Sequence, residues 1–237
     1  MTTSTRVRII GAGLAGLALA AAVPAAAQSP APTFAFDSEC ASPASALNFT
    51  GSGYTPGGEV SLLFARQGAT GWFRTRADAT GAIGGQTGLP DPDDFLDDDE
   101  FAGKVTATAN DQARIEQGSP PESQFAAAQF RLSRFEVYAF QRLRPGRRVR
   151  LRAAGFVGEA GKSLYAHYRR AGRTLKTARL GTLRGACGDL DTTTRAFPFR
   201  PVHAGTYTLM FSTAKRASAS GLSISYKVRV SRKYATR

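Results

Sequence analysis

Leu222-Ser-Ile-Ser-Tyr-Lys-Val-Arg-Val230 places an apolar side chain at every second position and a polar one between. In an extended chain successive side chains point to opposite faces. Leu222, Ile224, Tyr226, Val228 and Val230 therefore line one face, and Ser223, Ser225, Lys227 and Arg229 the other. This is the pattern of a strand with one face in a core and one in water. Tyr207, Leu209 and Phe211 repeat it after the turn residues His203-Ala-Gly205. Further back, Arg148, Arg150 and Arg152 alternate with Val149, Leu151 and Ala153, predicting a strand whose wet face is a row of guanidinium groups. Runs at 164–169, 174–180 and 196–199 complete the set, and 134–140 opens it. Short strands at this spacing, in a chain with 25 Gly and 12 Pro, predict an all-β sandwich of about seven strands.

The charge pattern divides the chain. Residues 28–133 hold 6 Lys and Arg against 14 Asp and Glu, a net of −8, whereas residues 134–237 hold 23 against 4, a net of +19. Such asymmetry in 237 residues predicts two folding units, an acidic one over 28–133 and a basic one over 134–237. The basic unit has three readings: a solvated surface, attraction between the two halves, or contact with an anionic partner such as an envelope polymer or glycan.

Residues 1–27 read as an address. Arg6 and Arg8 precede the apolar run from Ile9 to Val23, and Ala25-Ala-Ala27 supplies small residues for cleavage before Gln28. The same stretch contains Gly11-Ala-Gly13-Leu-Ala-Gly16, the spacing of a dinucleotide-binding turn, with Asp37 downstream. That fold needs a strand–helix–strand unit, and Pro24, Pro30 and Pro32 interrupt it, so no cofactor is expected. With no later apolar run long enough to span a bilayer, the mature chain is expected outside the cytoplasm, secreted or held in the envelope.

Export decides how the two cysteines are read. Cys40 and Cys187 are an even pair in an oxidising setting, which predicts a disulfide joining the two halves. The alternatives are two buried thiols or a reactive Cys187. Two Cys and two His at scattered positions lack metal-ligand spacing.

In the acidic half, strands are expected at 33–36, 47–50, 60–64, 72–76, 105–109 and 127–132, with Val60, Leu62 and Phe64 on one face and Thr55-Pro-Gly-Gly58 as a turn. LNFTGSGYTPGGEVSLLF at 47–64, ADATGAI at 77–83 and VTATAND at 105–111 resemble the immunoglobulin-like (IPT/TIG or fibronectin-like) modules of exported bacterial proteins. The resemblance covers roughly residues 40–110 and implies spacer, adhesive or binding roles, with no catalytic residue. Asp91-Pro-Asp-Asp-Phe-Leu-Asp-Asp-Asp-Glu100 lacks the ligand order of a calcium loop. It reads as a solvated, flexible segment, or else one docked on the basic half. Asn48-Phe-Thr50 matches the glycosylation sequon by chance.

PVHAGTYTLMF at 201–211 resembles the penultimate-strand region of fibronectin-like folds, where a Gly-Thr-Tyr turn enters a core strand. Pairing His167 or His203 with Cys187 would make a nucleophile and base, but Gly185-Ala-Cys-Gly-Asp-Leu190 lacks the flanks of such enzymes. A surface or turn histidine is the simpler reading, and no Gly-x-Ser-x-Gly elbow is present. The whole reads as two immunoglobulin-like sandwiches in tandem, non-catalytic, with neither metal nor nucleic acid expected. Arg148, Arg150, Arg152, Arg169 and Arg170 are the candidate contact groups for an anionic polymer. An exported enzyme using Cys187 is the alternative.

Overall fold

Alternation along the chain becomes strand pairing in the computed structural model, which describes residues 30–139, 142–217 and 221–235. The leader read over 1–27, with its glycine run, lies outside the described residues. Strands β1 (Thr33–Phe36), β3 (Leu47–Ser52) and β6 (Ile83–Thr87) form one sheet in the order β1-β3-β6. Facing it are β2 (Cys40–Ala41), β4 (Glu59–Arg66), β5 (Ala69–Arg76), β7 (Ala102–Asp111) and β8 (Phe125–Ser133), in the order β2-β8-β7-β4-β5. All pairs are antiparallel except β2 on β8. The core between these sheets holds Val60, Leu62 and Phe64, the face expected from sequence, with Leu47, Phe49, Val105 and Phe130. Each such fully buried side chain contributes about 1.5–3 kcal/mol of transfer free energy.

The basic half repeats the plan. β9 (Glu136–Ala139), β10 (Arg148–Ala154) and β13 (Leu190–Arg195) pair as β13-β10-β9. β11 (Ser163–Arg170), β12 (Arg173–Thr182), β14 (Gly205–Ser212) and β15 (Ser223–Val230) pair as β12-β11-β14-β15. Val149, Leu151, Leu164, Tyr168, Tyr207, Leu209 and Phe211 fill a second, separate core. Tyr207 enters β14 just after the turn, and its hydroxyl donates back to the carbonyl of His203 at 2.9 Å. A tyrosine bonded to backbone just upstream, at the start of the penultimate strand, is the corner of immunoglobulin-like sandwiches. The chain is all-β, two such sandwiches in tandem.

Two expectations fail here for identifiable reasons. The strand expected at 196–199 is instead a run of bends on either side of Pro198, although Ala196 and Phe197 are buried. The actual strand, Leu190–Arg195, is Thr-rich and offers little hydrophobic signal. The acidic segment 91–100 keeps its aspartates exposed, as expected, but is not an extended loop. Asp91 caps a short helix, Pro92–Phe95, by accepting from the Asp93 amide at 2.9 Å, and Phe95 and Leu96 are buried beneath it.

The sandwiches meet through specific groups. Cys40 and Cys187 form a disulfide with a Cα–Cα distance of 5.2 Å across 147 residues of chain. Ser42 donates to the carbonyl of Gly155 at 2.9 Å. Arg134 donates from Nε to the Glu100 carbonyl at 3.1 Å and pairs with Asp93. Gly155 has φ 79°, and a Cβ there would overlap the carbonyl oxygen of Arg134. The acidic segment is held by Arg134, paired with Asp93, and by Arg66 of its own half, paired with Glu100 at 2.6 Å, while Asp94, Asp97, Asp98 and Asp99 remain exposed.

Candidate binding surfaces

Outward positions on β10 present Arg148, Arg150 and Arg152, as the alternation requires. Their guanidinium groups are largely engaged. Arg148 donates to the Thr193 carbonyl at 3.3 Å, and Arg150 holds Asp191 on the neighbouring strand at 2.9 Å. Arg152 lies 4.3 Å over the ring of Phe101, a cation–π contact across the junction. The Arg150–Asp191 hydrogen bond holds the Asp191 carboxyl below its ordinary range and raises the guanidinium further.

Arg169 and Arg170 end β11, which belongs to the other sheet of the same sandwich. Arg169 donates to the Gly172 carbonyl at 3.2 Å, and Arg170 to the Ala204 carbonyl at 3.0 Å while its guanidinium lies 5.6 Å from the Tyr207 ring. The five arginines taken from the sequence are thus split between opposite faces. The sheet instead gathers Arg169 with Lys227 and Arg229, read from the alternation as outward, and with Arg179. Register places Arg169 opposite Thr208, and Thr208 opposite Lys227 on the next strand. Tyr165 stands opposite Arg179, and Thr206 opposite Arg229. Among strands β11, β12, β14 and β15 there is no Asp or Glu; the basic half keeps its acids at Glu136, Glu159, Asp189 and Asp191. Only strand pairing reveals this segregation, because the contributing residues lie up to 60 positions apart.

The histidine reading is corrected. His167 is fully buried rather than a surface residue, with Nδ1 3.0 Å from the Thr177 hydroxyl and Nε2 3.1 Å from that of Ser212. Burial lowers its pKa, Arg169 adds to that effect, and a hydrogen bond with the backbone of Ala214 opposes it. Ser212 is itself buried, so the hydroxyl beside His167 Nε2 is closed to solvent. Cys187 is fully buried and disulfide-bonded, which removes the thiolate that the enzyme alternative requires. Among the described residues no three His, Cys, Asp or Glu side chains group as metal ligands. No helix among them is long and apolar enough to cross a membrane.

A different surface stands out in the acidic half. Along β5 exposure alternates strictly, and the outward side chains are Thr70, Trp72, Arg74 and Arg76. Trp72, the one tryptophan of the chain, is 65% exposed. Elsewhere in this half, an open cleft of about 610 Å³ lies between Thr55, Pro56, Arg114, Gln117 and Glu122. Its floor is structural: buried Asp111 accepts from the Thr55 amide at 2.7 Å and pairs with Arg114 at 3.3 Å, while Arg114 donates to the Gly53 and Ser123 carbonyls.

No protein-family model and no curated protein sequence matches the chain. Among solved structures, a tetra-tandem repeat from the extending region of a large adhesion protein aligns over 85% of this chain and 48% of that one, at 14% identity and a TM-score of 0.27. The human OSCAR ligand-binding domain aligns over 85% of this chain and 99% of that one, at 15% identity and a TM-score of 0.30. The chain spans about half the length of the adhesion-protein repeat.

Proposed function

We propose that this is a non-catalytic binding protein of the cell envelope or extracellular space, holding an anionic polymer or glycan on its basic half. The observation that carries the reading is the outer face of sheet β12-β11-β14-β15, where Arg169, Arg179, Lys227 and Arg229 stand in strands that contain no acid. A field of one sign over a flat sheet raises the local concentration of a polyanion and speeds its capture. Arg170 borders that face, and Arg148, Arg150 and Arg152 form a second row on the opposite sheet, already engaged by Thr193, Asp191 and Phe101. The disulfide supports an oxidising compartment, as does the leader-like sequence. The test is titration of the chain with inorganic polyphosphate and with alginate while salt is raised. Affinity should fall steeply with ionic strength, and the K227A/R229A double variant should lose more than R148A/R150A. Binding that is indifferent to salt contradicts the reading.

A further inference from the structure

We propose that the outer face of sheet β2-β8-β7-β4-β5, centred on Trp72, is a second binding surface, one that recognises the sugar rings of an acidic polysaccharide. It is independent of the basic half.

Three features converge there. The first is Trp72, which stands on an edge strand with its indole in water. An exposed tryptophan forfeits the large burial free energy its ring offers, and its flat π-face suits the C–H face of a pyranose ring. The second is the distribution of charge. Of the cations in residues 28–133, Arg66 and Arg114 are sequestered in ion pairs with Glu100 and Asp111. The others, Arg74, Arg76, Lys104 and Arg131, all occupy exposed outward positions of this one sheet. Two carboxylates act on these cations: Glu59, 3.3 Å from Arg74, and Asp189 of the basic half, which Arg131 influences. A half with net charge −8 thus keeps its exposed cations on the face that carries its exposed tryptophan.

The third feature is the surface between. Register places Trp72 opposite Leu63, Leu63 opposite Thr108, and Thr108 opposite Ala127. The next row runs Thr70, Ala65, Thr106 and Gln129. These side chains are short, and hydroxyl and amide groups among them match sugar hydroxyls. Along β5 the outward positions repeat every ~7 Å, so a chain lying on the strand meets the indole, then Arg74, then Arg76. A ring stacked on Trp72 with carboxylate or sulfate groups reaching the arginines satisfies the whole row. Nucleic acid is the rival polyanion, and the disulfide argues for a compartment where it is not the expected partner.

Because Trp72 is the only tryptophan, its emission reports this face and not the basic half. Full-length protein should be titrated with alginate oligomers, inorganic polyphosphate, dextran and single-stranded oligothymidylate. The proposal expects alginate to quench and blue-shift the emission, with dextran and polyphosphate leaving it unchanged. W72A should bind alginate about tenfold more weakly at the sites that remain after the basic sheet is neutralised by K227A/R229A, and W72Y should retain most affinity. R74A/R76A should weaken binding and flatten its salt dependence. Alginate binding that leaves the emission unmoved overturns the proposal without touching the reading of the basic half. A larger emission shift with oligothymidylate than with alginate overturns it in favour of base stacking.

Discussion

His167 shows how a single buried side chain ties stability to pH. Its ring is neutral between Thr177 and Ser212, and burial holds its pKa below the ordinary 6.5. Below pH ~6.5 the unfolded chain takes up a proton that the folded chain refuses, so stability falls as pH drops through that window. We expect the urea midpoint of the wild type to decrease from pH 7 to pH 5, and the H167Q variant to show a smaller decrease. Asp189 has the opposite sign. Burial raises its carboxyl above the ordinary 3.8, against the opposing pull of Arg131 and Arg152, and its Oδ1 is buried without a hydrogen-bond partner. The folded chain therefore binds the proton more tightly, and this contribution is lost as pH rises through the raised value. D189N should raise the unfolding midpoint at pH 7 and leave it nearly unchanged at pH 3. An unchanged midpoint at both pH values contradicts the assignment.

At the scale of elements, the turn after β10 carries the junction. Gly155 and Gly158 both have positive φ, 79° and 78°, so alanine at either is strained equally by backbone conformation. They differ in what a Cβ meets: the Arg134 backbone at Gly155, open space at Gly158. G155A should therefore cost about 1–3 kcal/mol more than G158A in chemical unfolding; equal costs would mean that the junction yields freely. Strands with strong alternation, such as β4, β14 and β15, were legible in the sequence because one face had to be apolar. β13 was not, since its inward side chains include Thr192 and Thr194, and neither was β6, whose sequence Ile-Gly-Gly-Gln-Thr has apolar character only at its first residue. The Asp78 turn before it is itself well specified: Asp78 Oδ1 accepts from the Thr80 amide at 2.7 Å and the Ala82 amide at 3.0 Å. The five arginines were legible as exposed cations, but which of them share a face depends on pairing between strands far apart in sequence, and periodicity carries no such information.

At the scale of the molecule, two sandwiches of opposite charge are clamped by Cys40–Cys187, by Arg134 on the acidic segment and by Arg152 on Phe101. Closing a loop of 147 residues restricts the unfolded chain by up to about 5 kcal/mol. Reduction, or the C40A/C187A variant, should lower the unfolding midpoint accordingly, as read by chemical denaturation with and without thiol reductant. Within the acidic segment only Asp93 and Glu100 are held in ion pairs, while the cations of sheet β12-β11-β14-β15 lie in strands that contain no acid. That imbalance is the basis of the proposed binding role. The most direct test is the affinity of wild type, K227A/R229A and R148A/R150A for polyphosphate across a salt series. The account predicts a steep salt dependence for the wild type, a shallower one with weaker binding for K227A/R229A, and a near-wild-type curve for R148A/R150A. Equal affinity for all three, or binding unaffected by salt, would contradict it.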